Sequence, residues 1–144
     1  MHPKEIIASF QKCGADIKLD ETGVTVVNAS KVSELTINYA KEYKERIINQ
    51  LKGDYSAKKH AILSTNDQLI DCFLNKPVNN PDLIVSFLIN NPDCCELIIK
   101  RMNLLKENGW QYDECTANYE NEETDQLAEQ LFNRAMAGRQ KKGA

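Results

Sequence analysis

The sequence predicts a helix-dominated α+β fold, with an N-terminal α-β-hairpin-α unit followed by a small helical bundle. Three observations predict it. Within the 144 residues, apolar and polar side chains alternate with period two only in the stretch GADIKLDETGVTVVN, residues 14–28, the pattern of two half-buried strands about a turn. Beyond residue 30, apolar residues recur at three- and four-residue spacing, the helical period. Asn-Asn-Pro-Asp occurs at 79–82 and again at 90–93, each time with Pro placed to begin a helix. The composition, 42% hydrophobic and 27% charged, is that of a globular chain. Its length suits one domain or two very small ones.

The first helix starts at once. Pro3 suits the first helical position and Glu5 the positive end of the dipole. Ile6, Ile7, Phe10 and Cys13 share one face, and Gly14 is a natural stop. In the hairpin, Ile17 and Leu19 alternate with Asp16, Lys18 and Asp20. Asp20-Glu21-Thr22-Gly23 supplies the turn, with Gly23 free to take a positive φ. Val24, Val26 and Val27 return the chain, interrupted by Thr25, and Asn28-Ala29-Ser30 ends the strand. A long helix is expected over 31–52, capped by Ser30 or Ser33. Val32, Leu35, Tyr39, Ala40, Tyr43, Ile47 and Leu51 form its stripe. Lys41, Glu42, Lys44, Glu45 and Arg46 face water, and Gly53 stops it. One hairpin face, the first helix and this long helix bury a small core, so residues 1–53 form a unit.

Residues 54–63, with Asp54, Ser56, Lys58 and Lys59, read as a linker. A bundle over 64–138 follows. Thr65 opens its first helix through a capping box to Gln68, with Leu69, Ile70, Phe73 and Leu74 inward and Pro77 marking the end. The repeated Asn-Pro-Asp punctuation frames helices at 81–89 (Leu83, Ile84, Phe87, Leu88) and 92–108 (Leu97, Ile98, Met102, Leu105). No period continues, so this is not a solenoid. Gly109 stops the second of these helices, and Trp110 and Tyr112 follow in a loop. A last helix over 122–137 carries Leu127, Leu131, Ala135 and Met136 and is closed by Gly138. Residues 139–144 read as a disordered basic tail.

The motifs exclude more than they assign. No P-loop, Gly-x-Gly-x-x-Gly, His-Glu-x-x-His or Gly-x-Ser-x-Gly occurs, and the chain reads as non-enzymatic. The five cysteines, Cys13, Cys72, Cys94, Cys95 and Cys115, are odd in number and lack zinc-ligand spacing. Cys94 and Cys95 are adjacent and cannot easily share one tetrahedral ion. No metal or cofactor is expected. No apolar run approaches the roughly 18 residues of a membrane span, and the N-terminus lacks a signal-peptide core. The expected location is cytoplasmic.

Net charge is −3 and the pI about 5.4, which argues against a general grip on nucleic acid. The charge is uneven, however. Lys52, Lys58, Lys59 and His60 make a basic patch, and Arg139, Lys141 and Lys142 a second. Asp113, Glu114, Glu120, Glu122, Glu123, Asp125 and Glu129 make an acidic block. Tyr39, Tyr43 and Tyr55 near the first basic patch would suit stacking by a single strand. Core packing is the competing reading for Tyr39 and Tyr43, which lie four apart on the apolar stripe. A third reading is an inhibitor of a host enzyme or defence complex, with an acidic face at Glu120 to Asp125 that mimics nucleic acid.

Glu5-Ile6-Ile7-x-x-Phe10, Gly14-Ala15-Asp16-Ile17, Gly23-Val24-Thr25-Val26 and Lys44-x-x-Ile47-Ile48-x-x-Leu51 together resemble the N-terminal docking domains of the TubC type, found at the front of nonribosomal peptide synthetase subunits. Similar segments occur in small proteins of phages and mobile elements. The resemblance covers residues 3–52. It implies a protein–protein interaction adaptor whose hairpin edge captures a partner peptide by strand addition. The positions concerned are Ile17, Lys18, Leu19, Asp20, Val24, Thr25, Val26 and Val27, with Lys18 and Asp20 as flanking charges. Homodimer pairing is open to such domains. Two departures stand beside the likeness: residues 64–138 read as a small helical bundle where the family continues into a condensation domain, and Val24 occupies a place that is often acidic in the family. The alternative is a nucleic-acid-binding accessory protein of a phage or mobile-element replication system, acting on single strands through Lys52, Lys58, Lys59 and His60.

Overall fold

The computed structural model describes residues 2–21 and 23–143, with the side chains of residues 138–143 outside the description. The described residues include seven α-helices, two short 3-10 turns and one two-stranded hairpin, a helix-dominated α+β fold. The chain forms two compact units, residues 1–60 and residues 61–144.

The first unit opens with α1 (Pro3–Lys12), Pro3 at its start and Glu5 in its first turn. It ends in a Schellman motif. Ala15 N donates to Phe10 O and Gly14 N to Gln11 O, with Gly14 at φ 84°, a conformation glycine takes without steric cost. Strands β1 (Asp16–Asp20) and β2 (Gly23–Val27) pair antiparallel, with Ile17 opposite Val26 and Leu19 opposite Val24. Ile17 is buried with Ile6, Phe10, Ala15, Val32 and Ile47. Cys13, expected on the apolar face of α1, is exposed.

The single helix expected over 31–52 is two. A 3-10 turn (Ala29–Lys31) leads to α2 (Glu34–Glu42), capped by the Ser33 hydroxyl, and α3 (Lys44–Lys52) follows after a break at Tyr43. No Pro or Gly causes the break. Ile37 and Ala40 of α2 and Ile47 and Leu51 of α3 pack on one cluster. Leu35 and Tyr39, placed in the stripe from spacing, lie on the far side of α2 from Ile37 and are exposed, Leu35 at 71%. Arg46, expected in water, is buried, with its guanidinium 5.6 Å from the Tyr43 ring centroid.

Residues 54–63 are not a linker throughout. Helix α4 runs from Ala57 to Phe73, and the Ser56 hydroxyl accepts from Lys59 N at its start. Thr65 is therefore interior to a helix rather than its cap. Ile62 and Leu63 are buried, which explains why helix extends back through a stretch whose lysines suggest a solvated loop.

In the second unit, α5 (Pro81–Asn90) and α6 (Pro92–Glu107) begin at the two prolines. The asparagines before them occupy the cap positions, but neither side chain makes a cap bond. Asn91 Nδ2 instead donates back to Phe87 O. Helix α7 (Glu122–Gly143) starts with a reciprocal pair, Thr124 N donating to Asn121 Oδ1 and Asn121 N to Thr124 Oγ1. It continues through Gly138, where a stop and a disordered tail were expected. A glycine inside a helix costs only about 1 kcal/mol relative to Ala. The side chains of the basic tail lie outside the described residues.

Leu69, Ile70, Leu88, Cys94, Ile98, Met102, Leu105, Trp110 and Leu131 form the core of this unit. Trp110, read as a loop residue, is 1% exposed, and its indole N–H donates to Glu114 O at 2.8 Å. Beside the core lies a buried ion pair. Arg101, fully buried, donates through Nε to Thr124 O at 3.0 Å and pairs with Glu120 at 2.8 Å. Glu120 is thereby removed from the acidic face read from the sequence. Asn66, also fully buried, donates to Ile62 O and Ala128 O.

Removing one partner of a buried pair leaves the other charge uncompensated. Arg101→Ala is therefore expected to destabilise the second unit by about 3–5 kcal/mol. Trp110, the one tryptophan of the chain, reports it directly as a lowered urea midpoint in fluorescence.

Candidate functional site

The hairpin is the place where the fold leaves backbone polar groups at an open margin. Asp20 and Gly23 close it around residues 21–22. In a two-residue hairpin the closing pair exchanges both hydrogen bonds, and bonded and non-bonded pairs then alternate. Asp20 with Gly23, Lys18 with Thr25 and Asp16 with Val27 face each other across the ladder. The peptide groups of Ile17 and Leu19 on β1, and of Val24 and Val26 on β2, point away from the partner strand. The outward Ile17 N–H is taken by the Asp16 carboxylate at 2.8 Å. Among the described residues, no third strand pairs with the hairpin and no backbone bond from outside reaches Val24 or Val26.

The eight predicted contact residues sort into distinct roles. Ile17 is buried at 2% and anchors the sheet. Val24 and Val26 are half-buried and turn their side chains to the same core, so what they present outward is backbone. Leu19, near the tip, is 38% exposed. Lys18, Asp20, Thr25 and Val27 are exposed on the solvent face, where the Thr25 hydroxyl donates to the Asp20 carboxylate. Val27 is an apolar residue on that otherwise polar face.

The basic group is arranged differently from its reading as a linker. Lys52 ends α3, and Lys58, Lys59 and His60 occupy the first turn of α4. Lys52 and Lys58 are exposed, while Lys59 and His60 are half-buried. Tyr55 is buried at 6%, and its hydroxyl lies 3.0 Å from His60 Nδ1, so its ring offers no face for a base. Tyr39 and Tyr43 stack on each other at 6.4 Å.

No protein-family model, no curated protein and no solved structure matches the chain.

Two features escaped the sequence reading. Helix α5 is apolar nearly all round, yet Leu83, Val85 and Ile89 are exposed, Ile89 at 73%. A groove of about 170 Å³ runs beside it, lined by Leu69, Ile84, Phe87 and Met136 with Gln68 and Asn90 among its polar groups. The signal was present in Leu83-Ile84-Val85 and Phe87-Leu88-Ile89, a density of apolar residues beyond what one buried face of a ten-residue helix needs. The cysteines form no cluster: all five are free thiols, and only Cys94 is buried. Burial, then the neighbouring Cys95, pushes the Cys94 thiol up, the opposite of what a nucleophile needs. Among the described residues, no group of three or more metal-ligating side chains converges, and no helix is long and apolar enough to cross a membrane.

The ladder geometry rests on Gly23, at φ 119°. A Cβ there would meet nothing within 4 Å, so the cost of a side chain is backbone strain alone, about 1–3 kcal/mol. Gly23→Ala is expected to lower the melting temperature of the first unit, read from its amide resonances, and to leave the Trp110 environment unchanged.

Proposed function

We propose that the chain is a non-enzymatic docking adaptor, and that its N-terminal unit takes an extended peptide of another protein as a third strand along β2. The observation that carries this reading is the outward pair of peptide groups at Val24 and Val26 on a strand whose other side is held by the ladder and whose inner face is held by the core. Main-chain bonds would give such a complex its affinity, and alternate side-chain positions its selectivity. An added strand places every second residue beside the half-buried Val24 and Val26, where apolar side chains fit. The residues between lie beside Thr25 and Val27, with Lys18 and Asp20 one strand farther. The preferred peptide therefore alternates apolar and polar residues over about five positions. The likeness of residues 3–52 to TubC-type docking domains supports the same reading.

The test is selection of binders from a displayed random peptide library on the full chain. Binding of a selected peptide is then measured by fluorescence anisotropy. Val26→Pro removes one outward donor and is expected to weaken binding about tenfold. Methylating the backbone nitrogens of the peptide at alternate positions gives the same loss in one register and none in the other, without altering the protein. Equal affinity for both methylated registers would defeat the strand-addition reading. Dimerisation of the chain that vanishes in Val26→Pro would assign the edge to a second copy instead.

A further inference from the structure

The chain has two histidines, 58 positions apart in sequence, and the fold brings them together. His2 stands immediately before α1, and His60 lies in the first turn of α4. Their ring centroids are 4.4 Å apart. Tyr55 completes the group, its ring edge-on to His2 at 5.2 Å and its hydroxyl 3.0 Å from His60 Nδ1.

His2 has a further task. Its Nδ1 accepts from Lys4 N at 3.0 Å, so an imidazole fills the capping role usually taken by Ser, Thr, Asp or Asn. A nitrogen that accepts bears no hydrogen, and the neutral ring therefore carries its proton on Nε2. Protonation puts a hydrogen on Nδ1 and abolishes the cap. It also places a positive charge at the positive end of the α1 dipole, against a second imidazole.

We propose that His2, Tyr55 and His60 form a proton-operated latch on the first turn of α1, closed while the His2 Nδ1 is free to accept from Lys4 N and opened when the imidazole pair takes up a proton. The charged groups around it favour the neutral state of His60. Its imidazole is held below the ordinary 6.5 first by burial, then by His2, the chain's amino group and Arg46 of α3, with Glu5 of α1 acting in the other direction. The sign follows. Between the lowered folded value and 6.5, the unfolded chain binds more protons than the folded one, so stability from this site is full above 6.5 and declines as pH falls. The effect reaches the hairpin because α1 delivers Ile6 and Phe10 to the cluster that buries Ile17. The latch stands whether or not β2 takes a peptide.

The experiment is amide hydrogen exchange on the full chain, expressed as protection factors at about pH 7.5 and about pH 5. The Lys4 and Glu5 amides are expected to lose about fivefold to tenfold of their protection at the lower pH, while the Trp110 amide keeps its own. His2→Asn supplies a cap acceptor that does not titrate, and its Lys4 protection is expected to be the same at both pH values. Unchanged Lys4 protection in the native chain overturns the latch. So does a His2→Asn protein that loses protection as the native chain does, since another group would then be responsible.

Discussion

The packing of Ile17 against Ile6, Phe10 and Ile47 is the contact on which the N-terminal unit depends. All four are exposed by 2% or less. A two-stranded hairpin alone in water is marginal, whereas each such side chain contributes about 1.5–3 kcal/mol when fully buried. The contact also sets register. Shifting β1 by one residue would turn Lys18 toward the core and Ile17 toward water. One buried isoleucine thus fixes which face is polar, which peptide groups point outward and where Gly23 must turn the chain. The Schellman end of α1 belongs to the same arrangement, because it delivers Ala15 and then Ile17 directly from the helix that covers them.

In the second unit, polar groups do comparable work in the interior. Arg101 reaches a carboxylate 19 residues on and a carbonyl 23 residues on, and Asn66 a carbonyl 62 residues on. Each ties α7 or the segment before it to an earlier helix. A buried arginine is costly unless its partners are in place. Such groups therefore define how the helices must meet more sharply than the surrounding Leu and Ile, which tolerate shifts in packing.

What was legible in the sequence was local. The hairpin follows from period-two alternation with a glycine turn. The starts of α5 and α6 follow from Pro81 and Pro92, because a proline acts on its own residue and its neighbours. What was hidden was tertiary. The break at Tyr43 has no Pro or Gly to announce it. Leu35 and Tyr39 match helical spacing with Tyr43 and Ile47 only if the helix is unbroken. Helix α4 was masked by Lys58 and Lys59, which are solvated on a helix as readily as in a loop. Ser56 was its signal, without the acidic partner that makes a capping box conspicuous. For the candidate site, the eight hairpin residues were named through the resemblance to TubC-type docking domains, and their division into anchor, backbone edge and solvent face required the ladder. The meeting of His2 with His60 left no local trace at all.

The two margins of the hairpin are not equivalent. On β1, Asp16, Lys18 and Asp20 are charged, and the Asp16 carboxylate occupies the Ile17 N–H. Charge and self-satisfaction are the usual means by which a sheet blunts an edge. On β2, Gly-Val-Thr-Val-Val carries no charge and no proline and is rich in β-branched residues, the composition that most readily accepts another strand. An edge of that kind is a hazard to an isolated chain and adds nothing to its packing. Only its five-residue length and the adjacent β1 charges restrain it. Within the monomer, Val24 and Val26 pack on the core and the Thr25 hydroxyl donates to the Asp20 carboxylate of β1. A bare strand of that kind is what the proposed strand addition requires.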